Sequence, residues 1–510
     1  MRIVIPLLVL MLALLPAAAS AAGEDFSPSV EGIATGVVNA RTACHDPSII
    51  AANGKYYIFG SHMAAASSEN LRAWTILSTG YYSGNIVWGD IFAEGLHVFD
   101  YAGSPESLIP TDDRTYHVWA PDVVWNEVLG KYMMYYCTTS TWNASNICFG
   151  VSDSVEGPYE WQDAVVYSGF DKKTVSATDA GLYADEAWIK SHYLTLAGTY
   201  NYREYPNAID PSVFFDENGR FWMVYGSWSG GIYLLELDPR TGKAIHPEAD
   251  PENDVDPYFG KRLLGGNHQS IEGPYILYDA EAGWYYLFVS YGNLTAHGGY
   301  QIRVFRSRTP DGEYEDMNGE RVRKSGQAQF GLKLSGNYTL PSVRTAYMAT
   351  GHNSAMVDAD GKRYICYHTR FNNGTEGHLP MVKQYGVNAE GWPCMLPYAT
   401  RKETIPAAFD PAEVPGRWYV INQGTGINDR IAEPFILYLY ADGTVTGEEL
   451  SGTWSVEEGT GYLRISIGDT GYSGVLCRMQ DDAGTDVIVF SAAGANESVW
   501  GVRYDAPAAE

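Results

Sequence analysis

The sequence predicts an all-β protein, a five-bladed β-propeller followed by a small C-terminal antiparallel β-barrel or sandwich. Three observations predict it. A turn glycine followed by an alternating aromatic and aliphatic run recurs five times. A second short strand headed by a polar residue precedes each run. After about residue 404 the texture changes to short strands separated by tight turns.

The repeated runs occupy residues 54–60, 130–136, 219–225, 283–289 and 361–367. Each glycine suits a turn and each run suits a buried strand. The preceding strands open on His45-Asp46-Pro47-Ser48-Ile49, Ala120-Pro121-Asp122-Val123-Val124, Ile209-Asp210-Pro211-Ser212-Val213, Ile271-Glu272-Gly273-Pro274-Tyr275 and Gly351-His352-Asn353-Ser354-Ala355. Five equivalent hairpins at long intervals point to five blades over residues 35–400. In a propeller the first strand of each blade lines the central channel. Asp46, Asp122, Asp210, Glu272 and His352 are therefore expected in one pocket, where buried charge is costly unless paired or used. Asp122 reads as structural.

Pro406, Pro411 and Pro415 mark a linker. Short strands follow around Trp418, Leu437, Trp454, Leu463, Val475 and Val489, with turns such as Ala441-Asp442-Gly443-Thr444 between them. They predict a second domain over 405–508. No segment shows a helical period of note.

Arg2, the apolar run 3–15 and Ala19-Ser20-Ala21 predict a signal peptide over 1–21, too short to span a membrane. Export, periplasmic or extracellular, is expected, and no membrane partner. The net charge of −27 argues against nucleic acid as a partner. The sequence holds Cys44, Cys137, Cys148, Cys366, Cys394 and Cys477. Cys137 and Cys148 bracket a loop that a disulfide would close. There is no CxxC pair, so a cysteine metal site is not expected. Asn143 and Asn293 stand in glycosylation sequons.

The motifs carry a resemblance. His45-Asp46-Pro47-Ser48-Ile49, Val118-Trp119-Ala120-Pro121-Asp122, Asn207-Ala208-Ile209-Asp210-Pro211, Tyr225-Gly226-Ser227-Trp228-Ser229-Gly230-Gly231-Ile232, Ile271-Glu272-Gly273-Pro274-Tyr275, Gly351-His352-Asn353-Ser354 and Tyr367-His368-Thr369-Arg370-Phe371 cover most of residues 38–400. Together they resemble glycoside hydrolase family 43, and within it the two-domain extracellular endo-α-1,5-L-arabinanases. The resemblance implies an inverting hydrolase, cleaving internal α-1,5-L-arabinofuranosidic linkages of arabinan, and acting as a monomer. It implies Asp46 as general base, Glu272 as general acid, and Asp210 as the group that tunes and orients the acid. It implies Asp46, Trp119, Asn146, Asn207, Ala208, Ile209, Asp210, Ser227, Trp228 and Ser229 as substrate contacts. It also implies one mostly water-coordinated calcium ion at His352. Inversion needs a carboxylate to activate water on one face of the sugar and a protonated carboxyl to release the leaving oxygen.

Two segments, 167–203 and 247–261, read as insertions. Loops around the channel decide between internal cuts and trimming from an end. An exo-acting α-L-arabinofuranosidase or β-xylosidase is the rival within the family. A non-catalytic carbohydrate-binding propeller would require one of the three acids to be missing, and all three are present.

Overall fold

The computed structural model describes residues 32–80, 84–89, 91, 98, 100–102, 117–139, 144–321 and 330–504. The expected signal peptide and Asn143 lie outside these residues.

Every repeated run is a strand: Lys55–Gly60, Lys131–Thr139, Phe221–Tyr225, Trp284–Tyr291 and Arg363–Phe371. Each pairs antiparallel with the strand before it, respectively Ser48–Ala52, Val118–Asn126, Ser212–Phe215, Ile271–Asp279 and Tyr347–Val357. The glycines at 54, 130, 219, 283 and 361 have φ between 64° and 76°, a left-handed turn that other residues enter only at a cost. The runs are almost wholly apolar because both faces of each sheet are covered. One core lies between the first and second sheets around Phe59, Trp88 and Tyr136. Another lies between the second and third around Tyr135, Met223 and Tyr225. A third joins Trp222 and Val224 to Leu287. A fourth joins Ile58 to Tyr364 and Cys366.

The first strands touch in a closed ring, each beside the next, with Tyr347–Val357 returning to Ser48–Ala52. The arrangement is propeller-like. Counted as self-contained sheets, however, the blades number four and not five. The strands expected as the fourth blade run on into the C-terminal strands as one 12-stranded sheet. The cause is a single parallel pairing of Lys333 with Glu497, which welds Leu332–Ser335 to Glu497–Arg503.

The C-terminal strands run from Gly416–Asn422 to Glu497–Arg503, and these two pair antiparallel, so the sheet closes on itself. It is a barrel around Trp418, Leu437, Leu463 and Phe490. Two of its strands, Thr444–Gly447 and Glu497–Arg503, escape the sequence pattern. The core that holds Tyr286 and Tyr385 also contains Cys477, Val489 and Trp500, so barrel and propeller share apolar packing.

Two expectations are corrected. Short helical turns, Ala180–Tyr183 and Glu186–Trp188 among them, fill the first insertion. They lack an apolar period, but Ile189 and Tyr193 behind them are buried in the core. The six cysteines are free and buried. Cys137 faces Ile147 across the ladder, and Cys148 faces Tyr136. A one-residue offset turns the two thiols to opposite faces, so they enter different cores and cannot bond. Among the described residues, no helix is long and apolar enough to cross a membrane.

Candidate active site

Each channel strand carries a left-handed residue within it or just before it. Asp46 (φ 52°), Ala120 (φ 42°), Asp210 (φ 55°), Gly273 (φ 56°) and His352 (φ 47°) are all left-handed. Four of them precede a proline, which disfavours the right-handed helical region. Such strain persists only where surrounding structure fixes it, typically at functional sites. The true repeat position therefore corrects the expected register. Asp46, Asp210 and His352 occupy it, whereas Glu272 stands one residue before it and Asp122 two residues after. Asp122 instead ties neighbouring channel strands. Its Oδ1 accepts from the Ser48 hydroxyl and its Oδ2 from Val213 N at 2.7 Å.

Asp46 is held by three donors. Ser61 Oγ donates to Oδ2 at 2.5 Å, His45 Nδ1 lies 2.8 Å from Oδ2, and His352 Nδ1 lies 3.0 Å from Oδ1. Burial by itself would raise this carboxyl, but the His352 and His45 imidazoles hold it well below the usual range. His352 answers in kind: burial lowers it, yet Asp46 and then Asp210 lift it to about 9. Behind them His368 stacks on His45 with centroids 4.1 Å apart, and its Nδ1 accepts from Asp46 N at 3.3 Å.

Glu272 is partly buried, in the opposite environment. Its Oε2 accepts from Trp228 Nε1 at 2.7 Å and Ser227 Oγ at 3.2 Å. Burial raises its pKa, and Tyr300, His352 and Trp228 pull it down only in part. Asp210, whose Oδ2 accepts from Gly273 N at 3.2 Å, is likewise raised, first by burial and then by Glu272 and Asp46. The site thus holds one carboxyl kept ionised and two that favour a proton, an arrangement for acid–base work.

The other expected contacts divide. Ser227 and Trp228 touch Glu272 directly, and Ser229 is buried beside them. Asn207 and Ala208 take hydrogen bonds with Ser168 Oγ, and Ile209 is buried in the wall. Asn146 is buried, with its amide spent on Thr138 and Cys148. Trp119 is half-buried against the core of the second and third sheets. The sequence reading did not assign His45, Ser61 or Tyr300. His45 adjoins Asp46 and was visible in the motif; nothing in the pattern singled out Ser61 or Tyr300.

His352 shares a narrow axial cavity with Asp46, Asp122, Asp210 and Asn353. Both polar atoms of the Asn353 amide are buried and have no partner among the described residues. An orphan amide oxygen beside carboxylates and one imidazole is an oxygen-rich donor set, of the kind a hard cation takes. A nitrogen-rich group, His45, Asp46 and His368, also gathers around this carboxylate.

Residues 175–393 match the model for glycosyl hydrolases family 43, and residues 396–501 match a C-terminal lipocalin-like domain. The chain is 36% identical over 479 residues to an extracellular endo-α-(1→5)-L-arabinanase of Thermotoga petrophila, covering 90% of this chain and 93% of the relative. It is also 36% identical to an extracellular endo-α-(1→5)-L-arabinanase 2 of Bacillus subtilis, covering 91% and 93%. The crystal structure of an endo-1,5-α-L-arabinanase from Thermotoga petrophila superposes with a TM-score of 0.78 at 35% identity, covering 91% of this chain and 98% of that one. The shared catalytic family and the extent of this likeness place the chain: it belongs to glycosyl hydrolases family 43.

Proposed function

We propose that this enzyme hydrolyses internal α-1,5-L-arabinofuranosidic linkages of arabinan with inversion of configuration. The observation that carries the reading is the contrast between an ionised Asp46 and a proton-retaining Glu272 around one axis. The endo mode rests on relatives that bear that name and are alike over nearly their whole length. The extracellular names of those relatives support export after cleavage near residue 21.

Asp46 takes a proton from the attacking water. The contacts from Ser61, His45 and His352 fix the orientation of its carboxylate and keep it charged. Glu272 supplies the proton that lets the sugar oxygen leave. An indole N–H can only donate, so Oε2, facing Trp228, remains an acceptor and the proton belongs on Oε1. After transfer, Trp228 and Ser227 stabilise the new carboxylate. Asp210 disfavours a second negative charge and so helps Glu272 regain its proton.

The fourth strand set serves as a blade despite its link to the barrel, because the ring of channel strands closes only with Ile271–Asp279 in it. On that reading the propeller would have five ring members over about 35–400, with the barrel over 405–508. Calcium, held through His352 and Asn353 and largely by water, would add positive charge beside the carboxylates.

Debranched arabinan tests the reading. Viscosity should fall before reducing ends accumulate, and NMR should show the β-anomer first. Release of monosaccharide alone would replace the endo mode by an exo mode. An Asp46→Ala enzyme with full activity would remove the proposed base.

A further inference from the structure

We infer that Tyr300 is a positioning residue for Glu272, and that the C-terminal barrel holds it in place through its loop at Ile427 and Asn428. This rests on the reading of Glu272 as the proton donor. The Tyr300 hydroxyl is buried, lies against Glu272 and Ser290, and closes no well-formed hydrogen bond to either. Catalytic hydrogen bonds of this kind tighten when substrate binds. The ring has no freedom to leave. A Cβ on Gly351 would fall 2.2 Å from its Cδ1 and Cε1, and His368 stacks at 5.7 Å and 22° on it.

The residue before Tyr300 is where the barrel enters. Gly299 is left-handed (φ 72°), and a Cβ there would meet the Asn428 backbone at 2.9 to 3.0 Å. Ile427 packs against the propeller core between the third and fourth sheets. Just beyond Tyr300, Gln301 Nε2 donates to Gly299 O at 3.0 Å and to Gly426 O at 3.1 Å. Lys333 Nζ donates to Gly426 O at 3.1 Å, and buried Arg303 binds the carbonyls of Phe330, Gly331 and Thr425. The barrel loop thus clamps both flanks of Tyr300. A module that merely tethered substrate would need none of these bonds.

Two substrates separate positioning from general structural support. Linear arabinan needs a proton on its leaving oxygen; a 4-nitrophenyl arabinotrioside does not. Tyr300→Phe should lower kcat on arabinan about 10-fold, with KM within about twofold, the size expected for one hydrogen bond to a charged group. Its rate on the aryl substrate should stay within about twofold. Ile427→Ala should show the same split at about threefold, and Ile427→Val serves if Ile427→Ala does not fold by circular dichroism. Equal slowing of both substrates, or a wild-type rate on arabinan, overturns the role of Tyr300. A wild-type ratio of the two rates in the folded Ile427 variant overturns the role of the barrel. Glu272→Gln is the control: it should lose arabinan and keep the aryl substrate, and equal effects there would refute the acid assignment independently of Tyr300.

Discussion

Single side chains divide the labour by environment. Asp46 and Glu272 are both partly buried carboxyls, yet imidazoles surround one and an indole with two hydroxyl-bearing side chains surrounds the other. Asp46→Asn and Glu272→Gln should each cut kcat on arabinan by about 10²-fold to 10⁴-fold, measured by reducing-end assay. The pH profile follows from the two directions. On the proposed roles activity should need Asp46 ionised, and its depressed pKa keeps it so well into acid. It should also need Glu272 protonated, and be lost as pH rises through the raised pKa of that group. Trp228→Phe removes a donor that favours the ionised acid. Its alkaline limb should move to higher pH, while kcat falls about 10-fold. An unmoved limb would show that the indole contact at 2.7 Å is idle.

At the scale of the strand, a left-handed residue within or just before each channel strand sets where the side chains around it point. Gly273 is the only glycine among the five, and the reason lies opposite it. A Cβ there would sit 3.0 Å from His352 Cγ. Gly273→Ala should destabilise the protein by about 1–2 kcal/mol for the backbone alone, read as a lower urea midpoint. It should also displace His352 from Asp46, so activity should fall further than stability accounts for.

In the whole molecule the barrel is part of the fold of the propeller. They share one sheet and one core, with Trp500 and Val489 packed among propeller side chains. Calorimetry should show one unfolding transition, and a chain ended after residue 404 should not yield a folded propeller. Asp482 marks the same junction. Buried, it accepts from Tyr347 Oη at 2.8 Å, and burial raises it to about 6 from 3.8. Stability from its neutral form is complete below about pH 4 and lost as pH rises through about 6. Asp482→Asn should therefore gain on the wild type between pH 4 and pH 7, by up to about 3 kcal/mol in urea unfolding.

By itself the sequence determined the local events. Glycine turns, aromatic runs and acids beside prolines are set within a few residues, so the five hairpins and Asp46, Asp210 and Glu272 could be read directly. The register of those acids could not, because Glu272 looks equivalent to Asp46 until φ places Gly273 at the repeat. Only tertiary structure decided what meets across hundreds of residues. His352 and His368 reach Asp46, Asn428 reaches Gly299, and Glu497 pairs with Lys333. These contacts arise from closing a ring and docking a barrel on it, and no chain-local periodicity encodes the partner across such a gap.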